Sequence, residues 1–130
     1  MGVIYVEGFS IISYKDKPIY YFDYSNIGNS KEKVLKFLEF YASEYKNLPL
    51  KSVLVLVNVT NLHLDADLVN AFRGVRVKTA PYEKKVATFG MKGMQKIAYN
   101  FISSMDKKDL VQAFDSELDA KEWLIRDEPD

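Results

Sequence analysis

Residues 52–61 read Ser52-Val53-Leu54-Val55-Leu56-Val57-Asn58-Val59-Thr60-Asn61. The apolar run Val53 to Val57 is too short for a helix of its own and lacks the alternation of a strand with one wet face. A strand that is apolar on both sides needs cover on both sides, which is the situation of a central strand in a parallel sheet. Parallel neighbours in turn require long crossover connections, usually helical, so the flanking sequence should carry a 3.6-residue period.

It does so on both sides. Upstream, Asn29 or Ser30 can cap a helix whose apolar residues Val34, Leu35, Phe37, Leu38, Tyr41, Ala42 and Tyr45 recur at three- and four-residue spacings, and Leu48-Pro49-Leu50 stops it. Downstream, Asp65 can cap a helix with Leu68, Val69, Phe72 and Val75 inward, ending before Pro81. Lys85-Val86-Ala87-Thr88-Phe89 is the next strand. The turn Gly90-Met91-Lys92-Gly93 then opens a third helix with Met94, Ile97, Ala98, Phe101 and Ile102 on one stripe. Leu110 to Phe114 is a short strand, and Asp115 or Ser116 caps a last helix docked by Leu118, Ala120, Trp123 and Leu124, before an acidic tail from about residue 127. At the other end, Phe9 to Tyr14 and Ile19 to Tyr24 are aromatic and β-branched around the polar turn Lys15-Asp16-Lys17-Pro18, so they predict a hairpin; Val3 to Val6 suggests a short strand ahead of it. The expected architecture is an α/β sandwich, parallel apart from the first hairpin strand, with right-handed crossovers.

The chain has 130 residues, 48% of them hydrophobic, 14% aromatic and 28% charged, which fits one globular domain over 1–130. No apolar run reaches the roughly 18 residues of a membrane span, and Met1 to Glu7 has no secretory signature, so a cytoplasmic location is expected. There is no cysteine, and His63 is the sole histidine; thiolate chemistry is excluded, and neither a metal centre nor a cofactor is expected. Formal charge is balanced overall, but from Arg73 to Met105 seven basic residues face Glu83 alone, and from Asp106 onward four basic residues face nine acidic ones. Nucleic-acid binding by the Arg73 to Lys96 block is one reading of that gradient. Mutual neutralisation of neighbouring elements is the plainer one.

In open parallel sheets, ligands meet the loops at the carboxyl ends of the strands. Those loops hold Asp23 and Ser25, then Asn58, Thr60 and Asn61, then Gly90, Lys92 and Gly93, and finally Asp115. Glycines at a helix start let a backbone approach an anion, and Lys92 adds charge, although no dinucleotide or P-loop spacing is present. Thr60 is a candidate phospho-acceptor, since a phosphate there would sit near a helix N-terminus; as a plain residue it is a turn or capping hydroxyl. Asp23, His63, Lys92 and Asp115 could serve an enzyme or carrier if they converged, but carboxylates at strand ends are commonly turn formers. Most of the nine tyrosines and eight phenylalanines fall on core-facing positions.

From Phe9 to about Arg126 the order of elements resembles the STAS-like, SpoIIAA-like proteins, which include anti-sigma factor antagonists and are compared with SEC14-type lipid-binding domains. The resemblance rests on the opening strands with Asp23-Tyr24-Ser25, the strand ending in Asn58-Val59-Thr60-Asn61, the Gly90-Met91-Lys92-Gly93 turn, and Phe114-Asp115 before the helix with Trp123-Leu124. It implies a mixed sheet, mostly parallel with one antiparallel hairpin strand, packed by about four helices. It also implies an interaction module without catalysis. The antagonists are switched by phosphorylation in an Asp-Ser-Ser-Gly-like turn; here Asn58-Val59-Thr60-Asn61 stands at that place, and Thr60 is its hydroxyl. The expected role is therefore a regulatory module that binds a protein partner, or a small anionic or lipidic ligand, at the strand-end rim. The aromatic first hairpin is a candidate homodimer edge, and an enzyme or carrier using Asp23, His63, Lys92 and Asp115 is the alternative.

Overall fold

In the computed structural model, which describes residues 7–45, 47–93, 96, 99–100 and 110–126, the two aromatic runs form β1 (Phe9–Tyr14) and β2 (Lys17–Asp23). Their turn is tighter than the sequence suggests. Tyr14 pairs with Lys17, which leaves only Lys15 and Asp16 in the loop, both at positive φ (48° and 68°). Two left-handed residues in succession give the turn whose twist matches that of a hairpin. Pro18 falls inside β2 opposite Ser13, but pairing to the next strand starts only at Tyr20, so no ladder hydrogen bond on that side is lost to it.

The remaining elements are α1 (Lys31–Glu44), β3 (Val53–Asn58), α2 (Ala66–Thr79), β4 (Glu83–Phe89), β5 (Val111–Phe114) and α3 (Glu117–Ile125), with a short 3₁₀ turn at Ala80–Tyr82. Three side-chain caps fix the helix starts: Ser30 accepts from the N–H of Lys33, Asp65 from Leu68 and Ser116 from Asp119. The strands lie in the order β1-β2-β3-β4-β5, with β1 antiparallel to β2 and all other neighbours parallel. Among the described residues there are three α-helices rather than about four. The predicted third-helix positions Met94, Ile97, Ala98, Phe101 and Ile102, the Val3 to Val6 strand and the tail from 127 lie outside the described residues; Lys96, Tyr99 and Asn100 are helical.

Helices α1 and α2 share one face of the sheet. Val34, Phe37, Leu38, Tyr41 and Tyr45 of the first helical segment and Leu68 of the second pack on Phe22, Val53, Val55 and Val86. Helix α3 covers the other face, where Ala120, Trp123 and Leu124 meet Ile19, Leu56, Ala87 and Phe89. Val53, Val55 and Leu56 are all buried, as a strand covered from both sides requires. Two expected core residues are not in the core: Leu118 is 59% exposed and Leu35 37% exposed. Each stands one residue to the side of the stripe that its helix presents, so period alone misplaces it.

The start of β4 departs from the regular ladder. Val53 pairs with Glu83 but Leu54 with Lys85, leaving Lys84 as the extra residue of a bulge. The bulge turns Glu83 under α1 and α2 while Lys85 points to α3. Glu83 is 2% exposed; its carboxylate accepts from Arg76 at 2.5 Å, from the Tyr41 hydroxyl at 2.5 Å and from the Tyr45 hydroxyl at 3.4 Å. Burial, reinforced by the Glu83 charge, holds the Tyr41 hydroxyl well above its ordinary pKa, so it remains a donor. On the opposite face Lys85 Nζ donates to the carbonyls of Trp123 (2.9 Å) and Arg126 (2.7 Å) and lies 4.9 Å from the Trp123 ring centroid. Lys17 Nζ donates to Ile125 O at 3.1 Å. Two lysines thus satisfy carbonyls at the C-terminal end of α3, the end of a helix that favours cations.

Candidate functional site

Asp23 is in register with Asn58, Asn58 with Phe89, and Phe89 with Phe114. The four parallel strands therefore end in one row, and the loops that follow them share one border of the sheet. The border expected from the sequence exists; the use of its polar side chains differs from expectation.

The Asp23 carboxylate accepts the N–H of Ser25 at 2.9 Å. Asn58 accepts the N–H of Thr60 at 3.0 Å and donates to the Tyr21 hydroxyl at 3.3 Å. These are turns closed by a side chain on the backbone two residues ahead. Asn61, at φ 63°, donates to the carbonyl of Ser25 at 3.5 Å and ties the first two loops together. Gly90, at φ 91°, completes the arrangement: a Cβ there would lie 2.3 Å from Thr60 Oγ1 and 3.1 Å from Asn58 Oδ1, so only glycine permits the approach. Thr60 is half-buried against it.

Lys92, Gly93 and Asp115 are exposed. Asp115 lines a shallow depression with Lys96, Tyr99, Asn100 and Phe114, whereas exposed His63 lines a different one with Gly28, Asn29, Lys31 and Asp65. No lining residue is common to the two, so His63 and Asp115 do not share a depression. The basic block is also divided: Arg76 and Lys85 are buried or nearly so on opposite faces of the sheet. Among the described residues no three His, Asp or Glu side chains group as metal ligands, and no helix is long and apolar enough to cross a membrane.

Sequence reasoning missed a cleft that opens beside this border on the α1/α2 face. Its described lining includes Tyr24, Val57, Val59, Leu62, Leu64, Phe72, Val86 and Met91, with Tyr41, Arg76, Thr88, Tyr99 and Val111 completing it. Its cavity volume is about 80 Å³, small beside ordinary ligand pockets, but its lining has their character, apolar with a few placed polar groups. Tyr24 has no exposed surface, and its ring packs edge-on against Phe37 at 5.0 Å. Its hydroxyl has no hydrogen-bond partner among the described residues, and burial pushes its pKa far up, keeping it protonated. The sequence marks Tyr24 as a core aromatic, which it is. Only the tertiary arrangement reveals that its hydroxyl, buried beside an apolar cleft, has no partner among the described residues.

Among the described residues, a mixed five-stranded sheet with one antiparallel edge carries two helices on one face and a third on the other, the arrangement of a SpoIIAA-like α/β fold. An uncharacterised protein of the DUF3478 family from Shewanella loihica PV-4, described as having a SpoIIAA-like fold, superposes on the chain with a TM-score of 0.66 at 17% sequence identity, covering 89% of this chain and 91% of that one. No protein-family model matches the chain, and no curated protein does. The likeness is one of fold.

Proposed function

We propose that the protein is a non-catalytic binding module that holds a small apolar ligand in the cleft beside the strand ends and presents the surrounding turns to a protein partner. The observation that carries this reading is the cleft itself, an aliphatic and aromatic lining that opens next to the one border where the loops gather. The turn residues Asp23, Asn58, Thr60 and Gly90 support it from outside. Their hydrogen bonds and close contacts hold the loops in fixed shapes, as a recognition surface requires.

Benzene titrated into the full chain and followed by amide shifts is expected to give saturable changes at Val57, Leu62 and Phe72. Leu64→Trp, which fills the lining, is expected to remove them. Changes that never saturate, or that spread equally over both faces, would remove the reading. Thr60 is the proposed phospho-acceptor of the same module: a phosphate on its hydroxyl must displace the Gly90 contact, one residue from Met91 in the cleft lining. Thr60→Glu should accordingly alter benzene affinity, and an unchanged value would separate Thr60 from the cleft.

A further inference from the structure

We infer that the Tyr24 hydroxyl is the group that selects the ligand's chemistry: a neutral molecule with one hydrogen-bond acceptor, such as a ketone, ester or amide oxygen, in preference to a carboxylate or an ammonium ion. This rests on the cleft being a ligand site. It goes further by naming the ligand class and the residue that reads it.

The phenol lines the cleft, has no exposed surface and has no hydrogen-bond partner among the described residues. Its ring is fixed by Phe37 at 5.0 Å and Phe72 at 5.6 Å, so the hydroxyl cannot swing to water without breaking both contacts. A buried hydroxyl is costly until it is paired, and an incoming acceptor pairs it. Burial also holds it in the protonated, donating form.

The charge of the lining decides against ions. Arg76 is its one cationic side chain among the described residues, and the Glu83 carboxylate lies 2.5 Å from it, with the Tyr41 hydroxyl donating to the same carboxylate. A ligand carboxylate would have to compete with Glu83 for Arg76, and an ammonium would meet no carboxylate in the lining. The remaining polar lining residues, Tyr41, Thr88 and Tyr99, are neutral. Desolvating an ion is far costlier than desolvating a carbonyl, so without an available counter-charge the neutral ligand wins.

Three probes of nearly one shape separate the possibilities on the full chain: acetophenone, α-methylstyrene, in which CH₂ replaces the carbonyl oxygen, and benzoate. Amide-shift titrations of wild type and Tyr24→Phe are compared. Acetophenone should lose about five- to tenfold in affinity in Tyr24→Phe, the worth of one hydrogen bond, whereas α-methylstyrene should bind the variant at least as well as the wild type. Benzoate should give no saturable shifts. The inference is overturned if Tyr24→Phe weakens both neutral probes equally or neither, or if benzoate matches acetophenone. Failure of all three probes in folded wild type would instead remove the cleft reading beneath it. Phenylalanine keeps the ring contacts, and the amide spectrum of the variant reports directly that it is folded.

Discussion

Beneath α3, the buried charge is used up locally: Lys85 donates to two carbonyls at the end of the helix that covers it, and its ammonium group lies over the Trp123 ring. Beneath α1 and α2, polar groups are buried at both ends of the sheet, with different outcomes. At the start of β4, Glu83, Arg76, Tyr41 and Tyr45 form a connected network; at the strand-end border the Tyr24 hydroxyl belongs to none. Beneath α3 the buried charge has its partners, and beneath α1 and α2 the buried polar groups are paired at one end only. Protein interiors seldom leave a polar atom unpaired, so the exception marks the end of the molecule where a ligand is expected.

The sharpest way to break this contrast is to open the closed end of the α1/α2 face. Arg76→Met leaves the fully buried Glu83 side chain without its cation and should cost about 3–5 kcal/mol in urea unfolding; adding Glu83→Leu should restore much of that loss, since a buried pair replaced by apolar groups is often neutral. Next in size, Lys85→Met should cost about 3 kcal/mol and act on the other face. Native-state hydrogen exchange should then speed up in α3 and leave α1 unchanged; equal acceleration of both would deny that the faces are independent. Gly90→Ala should cost about 2 kcal/mol, because the new methyl meets Thr60 at a backbone angle that favours glycine.

The smallest effect concerns pH. Asp65 caps α2 through the N–H of Leu68 and pairs with Lys31, and both hold its carboxyl below the ordinary value of 3.8. Its contribution to stability is therefore complete above that value and lost as pH falls through the lower, folded-state pKa. Asp65→Asn retains a capping oxygen without the charge, so its melting temperature should vary less with pH in that acid range than that of wild type.

The sheet was largely legible because its signals are local. Val53 to Val57 identifies the central strand, and Ser30, Asp65 and Ser116 cap their helices through hydrogen bonds three residues long. The common border of the loops followed from the crossovers and is present in the register. Glu83 was not legible as a buried anion, since the bulge at Lys84 that turns it inward leaves no mark in a period-two pattern. Asp23 and Asn58 looked available for a ligand but bond to their own loops, a competition that short polar side chains commonly win. Tyr24 shows the limit best: its apolar ring predicts burial, whereas the isolation of its hydroxyl depends on residues from β3, α2 and β4 that sequence spacing cannot bring together.

Intermolecular nuclear Overhauser contacts from bound acetophenone would locate the ligand on one face or the other. Contacts to the methyl groups of Val57, Val59, Leu62 and Val86, with none to Ala120 or Leu124, are the expected result. Contacts confined to Ala120 and Leu124, or none at all under saturating conditions, would contradict a ligand site beneath α1 and α2.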